Sequence, residues 1–433
     1  MKIVEWEKSS KQEREALLLR PAQQDQEALF AKVREIIKKI RSQGDDACYA
    51  LTEKYDCVGL KSISVAVEQI KRAQVAPQVA VALEVAKTNI MRMQTALLPQ
   101  DITVETFPGV VCQRIAQPID AIGLYVPGGT APLVSTLMML ALPAKIAGCE
   151  QIIMCTPPNK KGEIDPAILY AAKLCGVTQV FALGGAQAIA AMAYGTETIP
   201  KVTKIFGPGN AWVTAAKQIV AQDPLGAACD LPAGPSEIMV IADETADCAV
   251  IAADLLSQSE HAADAQVMLC TNSLRVAREI NMAIDQQLAQ LPRKQIAQLA
   301  LKNSCMILVS ALSDAIEIAN DYAPEHLSLQ CENPTRWIKY LRNAGTIFVG
   351  RNTAEAFGDY ITGSNHVLPT YGYARSYSGL SVNDFMRFMT VQTMADDAVQ
   401  QLSAATITLA ELEGLNAHAN AVKLRVEKQR VVT

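Results

Sequence analysis

The feature that most constrains this chain is a unit that recurs along it: a short apolar run, a turn bearing glycine or proline, then a helical stretch. Ala121-Ile-Gly-Leu-Tyr-Val runs into Pro127-Gly-Gly and a helix from Pro132; Gln151-Ile-Ile-Met-Cys-Thr ends at Pro157-Pro158. Gln179-Val-Phe-Ala-Leu runs into Gly184-Gly185 and a helix over 186–194. Strands that are apolar on both faces and separated by helices require a parallel sheet covered on both sides. The pattern returns after Pro235, with a buried strand over 238–242, a helix over 246–260 and a strand over 265–271. Further strands are expected at 304–310 and 346–349.

The stretch ahead of this alternation is helical. Leu29, Val33, Ile36, Ile37 and Ile40 form a stripe at helical spacing that Gly44 ends, and helices follow over 46–55 and 76–98. Residues 102–107 and 110–115 alternate as strands. With 433 residues the chain exceeds what one core accommodates. The expected division is an N-terminal extension (1–23), one α/β domain from 24–128 plus 237–381, a second from 129–236, and a helical C-terminal tail (382–433).

Charge narrows the partners. With 39 Lys and Arg against 44 Asp and Glu, no basic excess exists to neutralise a phosphate backbone, so nucleic acid is not an expected partner. The opening Met-Lys-Ile-Val-Glu-Trp-Glu lacks the apolar core of a secretion signal, and the most apolar stretch, 133–147, is broken by Pro143 and Lys145. A cytoplasmic protein without a membrane segment is expected. The eleven cysteines are scattered singly, with no Cys-x-x-Cys, and read as unpaired thiols; any metal must rely on imidazole, carboxylate or amide ligands.

The histidines therefore stand out. In Ser257-Gln-Ser-Glu-His, Gln258 and His261 are three apart at a helix end, on one face, and can share an ion. Helix C-termini favour His in any case, so a solvated helix end is an equal reading. Glu325 and His326 follow Pro324, where the chain leaves or starts a helix, and such a pair can divide proton transfers between an alcohol and water. Gly358 and Gly363 bracket a polar loop carrying Asp359, with His366 beyond it and Pro369 closing it. Glu413 and His418 lie in the terminal helical stretch, where a docking arm is the alternative. Ser236 ends a Gly/Pro-rich loop as a candidate ligand hydroxyl. No Gly-x-Gly-x-x-Gly follows a strand, yet the turns after Tyr125, at Gly184-Gly-Ala-Gln and at Gly207-Pro-Gly-Asn allow close backbone approach to a ligand at strand ends.

Taken together, Gly123-Leu-Tyr-Val-Pro-Gly-Gly, Ala182-Leu-Gly-Gly-Ala-Gln-Ala-Ile-Ala, Gly207-Pro-Gly-Asn, Ala233-Gly-Pro-Ser-Glu, Ser257-Gln-Ser-Glu-His, Ala323-Pro-Glu-His-Leu and Gly363-Ser-Asn-His-Val-Leu-Pro-Thr resemble the histidinol dehydrogenase family over nearly the whole chain. The resemblance implies two incomplete Rossmann-like sheets with small helical extensions in an intertwined homodimer. It also implies a zinc enzyme, one ion per subunit, that oxidises L-histidinol through L-histidinal to L-histidine with two NAD and one water, ending histidine biosynthesis. By motif, Gln258, His261, Asp359 and His418 look like the zinc ligands, His418 reaching across the dimer. His326 looks like the base for the alcohol and Glu325 the base for water. Ser236, His366 and Glu413 look like further substrate contacts, and Tyr125, Gln187 and Asn210 like NAD contacts. The four histidines of the chain would then serve one active site. A cysteine-dependent aldehyde dehydrogenase, with Cys229 as nucleophile, a zinc hydrolase, and a metal-stabilised binding or scaffold protein whose histidines only brace the fold are the rival readings.

Overall fold

The structure, a computed structural model, describes residues 1–20, 26–128, 132–232 and 234–432. The expected boundary at 23–24 and two residues of the quoted motifs, Gly129 and Ala233, lie outside these. The chain forms two compact units, Met1–Leu97 with Ile119–Asp384, and Leu98–Pro118 with Phe385–Thr433.

Among the described residues the first unit holds two parallel sheets. The five-stranded sheet runs Gln179–Ala182, Gln151–Thr156, Ala121–Tyr125, Lys204–Phe206, Ala228–Cys229. The six-stranded sheet runs Lys2–Glu5, Cys305–Leu308, Gln266–Thr271, Glu237–Ala242, His326–Gln330, Thr346–Val349. In the five-stranded sheet the chain starts at the central strand Ala121–Tyr125, winds outward through two more, then returns to the other side of the first; Glu237–Ala242 begins the same course in the six-stranded sheet, to which Lys2–Glu5 adds an edge strand. This is doubly wound topology, and it leaves a crevice where the winding reverses. The α/β reading with parallel sheets is borne out.

The strands form where the sequence is apolar on both faces: all six residues of Glu237–Ala242 and of Gln266–Thr271 are buried. Helix Val134–Ala147 is buried along Thr136–Ala144, and Gly148, at φ 91°, ends it in a left-handed cap that a residue with a Cβ adopts only with strain. Asp247 caps helix Cys248–Ser259 by accepting from the amides of Ala249 and Val250, a contact type worth about 1 kcal/mol.

Gly44, at φ 51° and ψ −127°, breaks Gln26–Asp56 into two helical pieces, as its sequence position suggested. This helix packs on Gly185–Tyr194 and Ala211–Gln222. It therefore goes with the five-stranded sheet, as does strand Ala121–Tyr125, although both fall in the 24–128 segment grouped with 237–381 above.

The second unit holds a three-stranded antiparallel sheet of Ile102–Phe107, Val110–Pro118 and Met386–Met394. Helices Asp396–Leu412 and Asn416–Val432 pack on each other. The segment from 382, expected to be mainly helical, thus carries a strand after a short 3-10 turn at Val382–Phe385 and before its two helices. Its Met-Arg-Phe-Met-Thr-Val-Gln-Thr-Met is rich in aromatic and β-branched residues, but most positions on both faces are exposed, so no clean alternation marked it.

Candidate active site

The titratable residues singled out around 325 converge at the amino-terminal edge of the six-stranded sheet. His326 is the first residue of strand His326–Gln330 and Glu237 the first of the central strand beside it. The chain reaches Glu325 from helix Leu312–Tyr322 through Ala323, which takes the left-handed conformation at φ 53°. Hence the Pro-Glu-His segment leaves a helix to begin a strand, and the parallel ladder fixes the imidazole in register.

His326 is 4% exposed and stacks on the Phe348 ring with centroids 5.9 Å apart. Its Nδ1 lies 3.2 Å from the carbonyl oxygen of Glu237, which can only accept, so Nδ1 carries the proton. Nε2 is buried with no hydrogen-bond partner among the described residues and lies 3.8 Å from Asp359 Oδ1. Glu325 Oε2 accepts from the Glu237 amide at 2.8 Å and is 3.5 Å from His326 Nδ1. Glu355 Oε1 is 3.7 Å from the same nitrogen. Burial pulls the His326 pKa down, but the carboxylates of Glu325, Glu355 and Asp359 outweigh it and hold the imidazole up at about 10. Burial pushes the carboxyls of Glu325 and Glu355 up.

Asp359 is on helix Glu355–Tyr360 rather than in the loop expected between the glycines. The helix tolerates Gly358 because a Cβ there would stand 2.6 Å from the Phe348 ring. Glu355 is one turn before Asp359, so both carboxylates share a face. One ligand atom each from His261, Glu355 and Asp359 lies within 4.8 Å of the others, a mixed N/O donor set of the kind a borderline dication accepts. Sequence reasoning missed Glu355; its spacing of four from Asp359 was the available signal.

Gln258 is fully buried one turn before His261. With its amide turned to satisfy both ends, its nitrogen donates to Glu355 and its oxygen accepts from the Glu237 amide at 3.2 Å. His261 follows the end of helix Cys248–Ser259 and is exposed. His366 is near the pair, its Nε2 buried without a partner and its pKa lowered by desolvation. The neighbouring Asn365 donates to the Met139 carbonyl at 2.9 Å, tying this loop to a helix of the five-stranded sheet. Ser236 precedes the central strand and is half-buried. Glu413 and His418 are exposed residues of the second unit, at the cap of Asp396–Leu412 and within Asn416–Val432.

At the five-stranded sheet the candidates gather at the opposite, carboxyl edge. Tyr125 ends the central strand and its hydroxyl accepts from the Gly185 amide at 3.0 Å, where helix Gly185–Tyr194 begins. Gln187 is buried in that first turn. Asn210 caps helix Ala211–Gln222, its Oδ1 accepting from Trp212 and Val213, so only its amide nitrogen is left for a ligand. Gly207 has φ 121°, and a Cβ there would run into the Tyr125 carbonyl. Its amide donates to Asp230 at 2.6 Å and its carbonyl accepts from Lys217 at 2.9 Å, while Lys217 and Asp230 pair with each other. Two helix amino-termini and a clamped glycine turn thus flank the winding reversal, the place where open α/β sheets take nucleotides.

All eleven cysteines are unpaired. The Cys229 thiol donates to the Lys217 carbonyl at 3.4 Å, and burial pushes its pKa up to about 12, which disfavours the thiolate a cysteine nucleophile needs. No described helix is long and apolar enough to cross a membrane.

Two helix amino-termini beside a glycine turn at one sheet and a buried imidazole among carboxylates at the other fit a doubly wound α/β oxidoreductase. Comparison with known proteins is narrower. Residues 19–426 match the family model described as histidinol dehydrogenase. The histidinol dehydrogenase of Vibrio cholerae is 50% identical over 430 residues, covering 99% of each chain, and that of Vibrio vulnificus 49% over the same span. The solved histidinol dehydrogenase of Elizabethkingia anophelis superposes with a TM-score of 0.95 at 43% identity, again covering 99% of each chain. This chain belongs to the histidinol dehydrogenase family.

Proposed function

We propose that the chain oxidises L-histidinol through L-histidinal to L-histidine with two NAD and one water, the closing step of histidine biosynthesis, as a zinc-containing cytoplasmic homodimer. The observation that carries this reading is the His326 imidazole: its protonated Nδ1 is fixed by a backbone carbonyl, while Nε2 is buried, unpartnered and beside Asp359.

His326 Nε2 takes the hydroxyl proton as hydride leaves the carbinol carbon for the first nicotinamide. Glu325, whose raised pKa makes it a stronger base than a free carboxylate, takes a proton from water as that water adds to the aldehyde. The hydrate then gives up the second hydride to a second NAD. Gln258, His261 and Asp359 would hold zinc within this chain, with His418 of the partner subunit completing the set; Glu355 shares the cluster with His261 and Asp359. When bound there, zinc would supply positive charge to hold the imidazole and amine of the substrate and to offset the carboxylates around His326. Ser236, His366 and Glu413 contact the substrate. Tyr125, Gln187 and Asn210 contact NAD within the 129–236 domain and the strand end next to it, where helix amino-termini favour the pyrophosphate.

The deciding experiment counts NADH formed per histidinol consumed by zinc-replete enzyme. Two are expected. No NADH would overturn the reading, and one would remove the second oxidation.

A further inference from the structure

Both members of the Glu325–His326 pair are held by the backbone of one residue, Glu237: its amide donates to Glu325 and its carbonyl faces His326 Nδ1. The Glu237 side chain is 2% exposed and points away from the pair into a second buried network. Arg20, far away in sequence, donates through Nε to Glu237 Oε2 at 2.8 Å and through Nη2 to Oε1 at 3.1 Å. The same Nη2 donates to the Tyr322 carbonyl at 2.7 Å, and the guanidinium lies 3.8 Å over the Tyr322 ring. The Tyr322 hydroxyl is 2.8 Å from Glu237 Oε2.

Arg20 therefore joins the start of the central strand to the end of the helix that delivers Glu325 and His326. That link spans Ala323, whose left-handed backbone is unfavourable for a residue with a Cβ. No other described residue donates a forked pair of hydrogen bonds to the Glu237 carboxylate. A guanidinium does this with a rigid planar fork, which an ammonium does not reproduce.

We propose that Arg20 is a positioning residue for the reaction: through Glu237 and Tyr322 it sets the distance between the Glu325–His326 pair and the bound substrate. Arg20 touches neither substrate nor cofactor. The inference rests on the proton-transfer roles given above to Glu325 and His326, so wild-type NADH production from histidinol is measured first; if that is absent, the earlier reading fails and not this one.

With wild-type activity established, Arg20→Ala lowers kcat about 100-fold, the scale of a misplacement near 1 Å, while KM for histidinol and NAD and the zinc content stay within about twofold. Added guanidinium restores a saturable part of kcat in Arg20→Ala and leaves wild type unchanged. Tyr322→Phe, which keeps the ring under the guanidinium and removes only the hydroxyl, lowers kcat about tenfold. Wild-type kcat in folded Arg20→Ala overturns the proposal, as does a loss that only tracks the folded fraction seen by circular dichroism and ignores guanidinium. If Arg20→Ala does not fold, Tyr322→Phe decides: undiminished kcat overturns the proposal, and a tenfold fall at unchanged KM supports it.

Discussion

His326 Nε2 and Asp359 Oδ1 are 3.8 Å apart. Because Asp359 also stands in the cluster with His261 and Glu355, the imidazole proposed to move protons and the group of residues suited to a cation share one carboxylate. A change at either place is felt at the other, and this coupling shapes what removal of single groups will do.

Glu325→Gln keeps the hydrogen-bonding outline but removes the base proposed for water. Oxidation of histidinol to histidine should fall about 100-fold or more, while the first hydride transfer in a single turnover falls much less. Parallel single-turnover traces from histidinol and histidinal measure this; equal losses would contradict a role confined to water.

His326→Asn should depress both hydride transfers, by about 100-fold to 10,000-fold, since both release a proton near the same nitrogen. Steady-state rates with each substrate provide the check, and an unaffected first step would remove His326 as the base.

Chelation should abolish turnover, and zinc should restore it, with the far-ultraviolet circular dichroism unchanged. The cluster lies at a sheet edge, and the two sheets have separate apolar cores. Loss of helical signal on chelation would mean that the ion braces the fold instead.

Asp254 lies inside helix Cys248–Ser259 with Oδ2 buried and unpartnered, and burial pushes its pKa up to about 6. A folded-state value above the unfolded one means that folding favours the protonated form. The stabilisation is fully present below about pH 4 and is lost as pH rises through 6. Asp254→Asn should therefore stabilise the protein by about 2–3 kcal/mol at pH 8 and change little at pH 4. Urea midpoints at the two values test it; the same difference at both would refute the assignment.

Gly207→Ala puts a methyl group against the Tyr125 carbonyl at a left-handed φ. It should cost about 2–3 kcal/mol in stability and raise KM for NAD more than KM for histidinol. Stability and the two KM values together separate a crevice effect from general loosening.

Much of this was legible in the sequence because the strands are apolar on both faces and flanked by turns. Thr346–Val349 and Gln151–Thr156 fall where expected, and Gln179–Ala182 nearly so. Lys204–Phe206 and Ala228–Cys229 escaped because two or three residues carry too little pattern, and Lys2–Glu5 because it has charged ends and takes its strand character from a partner distant in sequence. The same reason hid Glu237 and Glu355. A buried carboxylate looks like any surface acid until the groups around it are known, and Arg20 is 217 positions from its partner. His326 and Asp359 were visible as residue types near prolines and glycines; that their side chains stand 3.8 Å apart was not.

The first strand, Lys2–Glu5, pairs with Cys305–Leu308, the amino-terminus is bound by Asn281, and Arg20 reaches Glu237. During synthesis these opening residues must wait on the ribosome until most of the chain has followed them. The five-stranded sheet, by contrast, draws all its strands from 121–229 and can close before Glu237 has been made. Long-range parallel pairings form slowly, and domains finished early fold first. The five-stranded sheet is thus completed early in the life of each molecule, and Glu325 and His326 are set only when residues 2–20 dock beside residues made much later.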